Sequence, residues 1–249
     1  MAASKAARER VDVSYCGAGR GGGLRVGHVV VAYVFGVTAV PAWWHRRVHG
    51  AFCPLQAGLA FFVGLNALIC YWELALAYRI ERISRDAKRL RARTADSQAA
   101  RFAVVGAFFS APCGAADCAS LRFWGRVWST YAVYDPSYAD PTTFGFWIDA
   151  GNGHTTLVPS LLWLVGMTAE VVPARAFGLV GLVAFYQELY GTVIYFSSFF
   201  YNGRHRGKTR LEVALFVGLS NGLWVAGPLV GICAALACVE SGDYAAFRP

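Results

Sequence analysis

Residues 128–149 read WSTYAVYDPSYADPTTFGFWID. The run carries an acidic residue, Asp149, into what reads as the start of a membrane-spanning helix over residues 144–167. An ionisable side chain at that depth is costly unless it meets water or a hydrogen-bond partner, so by default it marks a functional site. The rest of the chain either builds the bundle around this helix or decides what Asp149 can act on.

Composition points to the membrane as well. Of 249 residues, 56% are hydrophobic, 15% aromatic and only 15% charged, which is far more apolar than a soluble domain. The net charge of +8 does not imply nucleic acid, because the Lys and Arg residues lie between apolar runs and form no motif that reads bases. Anionic lipid headgroups are the expected partners of the basic segments. Seven cysteines stand at positions 16, 53, 70, 113, 118, 233 and 238, several inside apolar runs where cysteine acts as a small buried hydrophobe. Cys113 and Cys118, in a Gly/Ala-rich loop, are the two that could pair. Neither they nor His45, His49 and His154 form a metal-ligand pattern, so no metal is expected.

Residues 1–25 are polar, Gly-rich and basic, and form a segment apart from the membrane domain at 26–249. No small-residue cleavage site follows them, so a cleaved signal peptide is not expected, while a mitochondrial transit function stays open. Apolar runs at 26–44, 51–78, 144–167, 176–201 and 213–239 each approach or exceed the roughly 20 residues a span needs. The fold class is therefore all-α, a multi-pass integral membrane protein of five transmembrane helices with its two ends on opposite sides. The second run continues into RIERISRDAKRLRARTADSQAAR, whose charges at helical spacing predict a basic helical extension over 79–101. The apolar stretch 102–109 is too short to cross and is expected at the interface or beneath the bundle. Gly151, Gly153 and Pro159 interrupt the third run, which neighbouring helices can tolerate.

Nineteen Lys and Arg residues fall in the N-terminal segment and the connections after the second and fourth spans. Four (Arg46, Arg47, Arg175 and Arg248) fall on the other side. The positive-inside rule then places the N-terminus in the cytosol or an equivalent compartment such as the mitochondrial matrix. No internal repeat is visible, which argues against a transporter.

The polar residues within the spans are few. Asn66, Cys70 and Glu73 share one face of the second helix at spacings of three and four. The third helix offers Asp149, Asn152, His154, Thr155 and Thr156; the fourth, Gln187, Glu188, Tyr190 and Tyr195; the fifth, Asn221 with Trp224 one turn later. An aromatic cleft with a few carboxyls and amides suits a hydrophobic ligand that bears or develops positive charge. The indole face of Trp224 could stabilise a cation, the amide of Asn221 could orient a hydroxyl or water, and a carboxylic acid could donate a proton. Against this stands a structural role for the same residues, since polar groups across a bundle often only join helices and Trp and Tyr often only mark the interface.

Three separated patches resemble the emopamil-binding protein family, the EXPERA-domain membrane proteins that include sterol Δ8-Δ7 isomerase. Trp128, Tyr131, Ala132, Asp135 and Tyr138 reproduce a W-x2-Y-A-x2-D-x2-Y run. Continuing without a gap places Asp149 on the family's third-helix catalytic glutamate. LYGTVIYF at 189–196 is similar to (I/L)-Y-G-D-V-L-Y-F, with Thr192 at the Asp position, and NGLWVAGP at 221–228 fits N-A-L-W-x3-P. The resemblance covers roughly residues 55–235. It implies an EXPERA-type five-helix bundle with a sterol-sized pocket, no cofactor, and residence in the endoplasmic reticulum, with the mitochondrial inner membrane or another organelle as the alternative. Asp149 and Glu73 are then the expected catalytic residues, and Asn221, Trp224, Tyr131, Asn66 and Tyr190 the expected ligand-binding ones. Aligned on Trp72, Asn66 and Cys70 occupy the positions of the isomerase's His-x3-Glu pair, and the family places on the lumenal side the loop whose basic character here puts it inside.

Two functions follow. The first is sterol Δ8-Δ7 isomerisation, in which a ring double bond shifts by protonation and deprotonation through a carbocation. The second is a catalytically inactive lipid-binding member serving as a homodimer or as an accessory subunit of a larger membrane complex. The departures at Asn66 and Cys70, the basic extension and the glycine-rich N-terminus support the latter, and the former stands first.

Overall fold

The computed structural model describes residues 23–95 and 97–248. The expected N-terminal segment therefore lies almost entirely outside the described residues. In lipid a long apolar run must bond its own backbone groups, and helices are what these runs form. α1 (Val26–His49) ends on Gly50, whose φ of 82° closes the helix, and α2 (Pro54–Thr94) follows at once with proline in its first turn, where a missing N–H costs nothing.

α2 has 41 residues and is roughly 60 Å long at 1.5 Å per residue, about twice the hydrocarbon thickness. Its backbone kinks at Arg79 (φ −130°, ψ 19°), where the apolar face gives way to charge. The predicted extension is thus the same helix carried past the bundle, and it stops at Thr94 rather than 101. α3 (Gln98–Phe109) starts afresh from Ser97, whose hydroxyl accepts the Ala100 N–H at 3.2 Å, and takes in the apolar stretch 102–109. After the short α4 (Ala115–Cys118), α5 (Leu121–Tyr131) leads through a 3₁₀ turn, Pro136–Ala139, to the helix that carries Asp149. Cys113 and Cys118 are neighbours as free thiols, with Sγ atoms 3.6 Å apart. Burial pushes the Cys113 thiol up to about 12, so little reactive thiolate forms at neutral pH.

The third predicted span is divided. α6 (Phe144–Thr155) and α7 (Leu157–Ala169) meet at Thr156, whose φ of −101° and ψ of −11° interrupt regular geometry. Pro159 is the cause: it has no N–H for the Thr155 carbonyl, and its ring crowds that oxygen. The hydroxyls of Thr155 and Thr156 turn back onto the carbonyls of Gly151 (2.9 Å) and Asn152 (3.0 Å), which also bends helices. Neither half is long enough to cross alone. α8 (Ala174–Tyr201) is unbroken, while α9 (Arg210–Val213) passes through a π-helical turn, Ala214–Leu219, into α10 (Ser220–Ser241). Among the described residues four helices are long and apolar enough to span a membrane, namely α1, α2, α8 and the Arg210–Ser241 unit, instead of the five expected. They make the chain an all-helical integral membrane protein.

α2 is the axis of the bundle and packs on α1, α5, α6 and α7, while α8 and α10 pack on each other. Two apolar clusters result. One lies where α2 meets α5 and α6, around Trp72, Trp124, Trp128 and Phe146; the other joins Leu59 and Phe62 of α2 to Trp163, Phe177 and Phe185. Two buried ion pairs tie the connections to the bundle. Arg204 reaches both oxygens of Asp135 at 3.0 Å, and Arg101 grips Glu212 through Nη2 at 3.0 Å while also donating to the carbonyls of Thr94 and Ala95 at the end of α2.

Candidate functional site

A cavity of about 290 Å³ opens in the first of these clusters, walled by α2, α3, α5, α6, α8 and the start of α10. Its position follows from how α6 is set on α2. Gly153 lies against α2 so closely that a Cβ there would come within 2.7 Å of the Glu73 Cβ and 3.0 Å of the Cys70 carbonyl. Asp149 is one turn earlier on the same face, so this contact brings it to the cavity that Glu73 also lines. Glu73 is 3% exposed and its Oε2 has no partner. Asp149, half-buried, interacts with the phenol of Tyr138.

The motif that announced Asp149 has a separate task for each residue. Trp128 donates its indole N–H to the Trp72 carbonyl at 2.6 Å and so fixes α5 against α2. Asp135 accepts the Ser137 N–H at 3.0 Å, starting the 3₁₀ turn, and takes the Arg204 pair. Tyr138 then packs on Trp128 and Tyr131, with ring centres 5.2 Å apart in each case, and on Tyr195 at 5.6 Å. Tyr131 lines the cavity and donates to the Phe216 carbonyl at 2.7 Å while accepting from Asn221 Nδ2 at 3.1 Å. Phe216 belongs to the π-helical turn, and its carbonyl also accepts the Ser220 hydroxyl at 2.7 Å. Such turns concentrate at functional sites because they free backbone groups and re-aim side chains. Here the turn presents Ser220, Asn221 and Trp224 to the cavity.

Five of the seven expected site residues, Asp149, Glu73, Asn221, Trp224 and Tyr131, therefore share one wall system. The other two do not reach it. Asn66, 2% exposed, lies behind the wall, where its Oδ1 accepts the Trp224 indole N–H at 2.8 Å and its Nδ2 donates to Glu188 Oε1 at 2.6 Å and Ser160 Oγ at 3.0 Å. Cys70 lies beside it, 3.2 Å from the Thr156 hydroxyl. Tyr190 points out of the bundle, 52% exposed and stacked on Tyr186 at 5.9 Å. Residues 188, 191, 192 and 195 form the inward face of α8, and 190 falls opposite them.

Cavity residues that the sequence reading did not single out as site residues are Trp72, Tyr138, Tyr195 and Asn152, together with Phe108 from α3. Asn152 is held by Gln187, whose Nε2 donates to its Oδ1 at 2.8 Å. The sequence places it in the polar inventory of this helix, and its i, i+3 spacing from Asp149 is the signal for a site role. Trp72 Nε1, buried in the wall, has no partner, while the Tyr195 hydroxyl meets the Tyr131 hydroxyl and the Asp135 carboxyl. No Lys, Arg or His stands among the lining residues. Among the described residues no three His, Cys, Asp or Glu side chains are grouped to hold a metal. The chemistry the cavity itself offers is a pair of carboxyls, phenol and indole donors, and aromatic faces.

Compared with models of protein families, with curated proteins and with solved structures, the chain matches none.

Proposed function

We propose that the protein is a lipid-binding membrane protein of the emopamil-binding type and that its cavity isomerises a sterol-like ring double bond. The observation behind this reading is the meeting of Asp149 and Glu73, two carboxyls with no basic neighbour on the wall, in a cavity lined by aromatic rings. Asp149 gives its proton to C9 of an 8,9 double bond, which leaves a carbocation at C8. The faces of Trp224 and the neighbouring tyrosines stabilise that charge. Glu73 takes a proton from C7, and the electron pair of that C–H bond becomes the 7,8 double bond. One proton enters and one leaves, so neither oxidant nor cofactor is consumed. In this reading α6 and α7 together form a fifth crossing, and the membrane is that of the endoplasmic reticulum.

The test is expression in yeast lacking Δ8-Δ7 isomerase. Sterols with the 7,8 double bond are expected from the wild-type chain, and Asp149→Asn should lower their formation about 10²- to 10⁴-fold, the usual worth of a positioned proton donor, while leaving the fold intact. Accumulation of Δ8-sterols alone with the wild-type protein would remove the catalytic reading. The second reading, an inactive accessory subunit, draws on one observation: Asn66 and Cys70, at the positions of the isomerase's acid–base pair, are turned into a closed network. Migration on native gels as part of a complex much larger than the 27.0 kDa chain would favour it.

A further inference from the structure

Glu188 takes no part in the reaction just described, yet it is a carboxyl 2% exposed in the middle of α8. It does not line the cavity. One oxygen is its contact with Asn66, and the other has no partner. We propose that Glu188 is a positioning residue that acts through Asn66 to set the Trp224 ring in the cavity wall. For its functional consequence the inference rests on the ligand-site reading; its structural test does not.

The argument lies in the asymmetry of an amide. Asn66 Oδ1 can only accept and Nδ2 can only donate, and the Trp224 indole can only donate. The 2.8 Å bond from Trp224 Nε1 therefore exists only while Oδ1 faces α10. With that choice made, Nδ2 faces the other way and needs acceptors among buried groups. Glu188 Oε1 at 2.6 Å is the nearest, with Ser160 Oγ at 3.0 Å beside it. Without the carboxyl the amide loses its shortest and only carboxyl acceptor and keeps the hydroxyls of Ser160 at 3.0 Å and Thr156 at 3.4 Å, which hold Oδ1 toward the indole less firmly. The Trp224 ring keeps its apolar packing, including the edge contact with Phe62 at 6.1 Å between centres, but the polar bond that fixes its tilt weakens. The chain from Glu188 through Asn66 to Trp224 also joins α8, α2 and α10, three walls of the cavity, by two short hydrogen bonds.

The experiment labels the eight tryptophans with ¹⁵N and records indole N–H correlations in phosphatidylcholine nanodiscs. The peak missing from Trp224→Phe belongs to Trp224. In Glu188→Met it should move upfield, toward a weaker hydrogen bond, while the other seven stay in place; in Glu188→Gln, which keeps an acceptor, it should stay. Binding of Δ8-cholestenol should weaken about fivefold in Glu188→Met, as for one lost hydrogen bond, and recover in Glu188→Gln. Adding Glu188→Met to Trp224→Phe should weaken binding no further, because both act on one ring. A Trp224 peak unmoved in Glu188→Met, or effects on binding that add, would overturn the proposal. If Glu188→Met does not fold, Glu188→Leu reads the same link, and an unmoved peak there overturns it equally. A wild-type protein that binds no sterol defeats the ligand-site reading alone, and the peak position still decides the role of Glu188.

Discussion

The bundle has a solid half and a hollow half made of the same kinds of residue. In the solid half Trp163 lies flat on Phe177, centres 4.3 Å apart, and meets the edge of Phe185 at 4.7 Å. Gly181 leaves space for that ring, since a Cβ there would enter it. In the hollow half Trp128, Tyr131, Tyr138 and Tyr195 stand around open space, and Glu73 Oε2 and Trp72 Nε1 lack partners. Helices in lipid gain nothing from leaving water, so close packing and hydrogen bonds must hold them together. A void forfeits the first of these and an unpaired polar atom the second. Unpaired polar atoms occur in the solid half too, at Trp163 Nε1 and the Gln56 amide, so it is the void beside two carboxyls that sets the hollow half apart, as expected where a ligand fills it.

The two halves should respond differently to the loss of a tryptophan. Trp163→Ala should destabilise the bundle by roughly 3–5 kcal/mol, because it empties a filled site. Trp224→Ala, at a ring that already borders the cavity and keeps one hydrogen bond, should cost about 1 kcal/mol in stability and act on ligand binding instead. Thermal unfolding in one detergent measures both, and equal losses would erase the distinction. A smaller contrast comes from two glycines. Gly181→Ala should cost roughly 1–3 kcal/mol by overpacking against Trp163. Gly151→Ala on α6, where a Cβ meets nothing within 4 Å, should stabilise by about 0.5–1 kcal/mol through helix propensity. A Gly181→Ala protein as stable as the wild type would mean the solid half is looser than its geometry.

Much of this contrast was open to reading in the sequence, and the reasons for success and failure are physical. Asp149, Glu73, Asn221 and Trp224 stood out because a membrane helix has few polar residues and their chemistry belongs to the residue type. Tyr190 faces away from the cavity, and the sequence hides this for the complementary reason. α8 is apolar on every side, so no polar stripe marks which face is inward, and only contacts reveal that Glu188 and Tyr195 face in while Tyr186 and Tyr190 face out. Pro159 was visible, but whether a proline bends or divides a helix depends on what replaces the missing bond, here the back-bonded Thr155 and Thr156. The π-helical turn left no trace in periodicity. It is held from outside its own helix, by the Tyr131 hydroxyl on the Phe216 carbonyl, and such a tertiary bond cannot be read from local sequence.

The smallest effect is expected just before α6, at a second acid that faces solvent instead of the cavity. Asp140 is exposed, and its carboxylate accepts both the hydroxyl and the backbone N–H of Thr142, at 2.7 and 2.9 Å. The Thr142 hydroxyl, and next its amide, hold that carboxyl below the usual aspartate range. The folded state thus binds this proton less readily than the unfolded chain, whose aspartates titrate near pH 3.9. The stability contributed is complete above about pH 4 and disappears as pH falls through the lower, folded value. Asp140→Ala should therefore lower stability at pH 7 by no more than about 1 kcal/mol, since solvent screens an exposed group. Wild-type and variant unfolding midpoints should also converge on acidification. A gap that stays constant into the acid range would show that the turn depends on side-chain shape and not on charge. In that case the approach to α6 would be set by Thr143, whose hydroxyl reaches the Ser137 carbonyl at 2.6 Å and caps the Phe146 N–H at 3.4 Å, and Asp149 would be delivered to the cavity without help from its exposed neighbour.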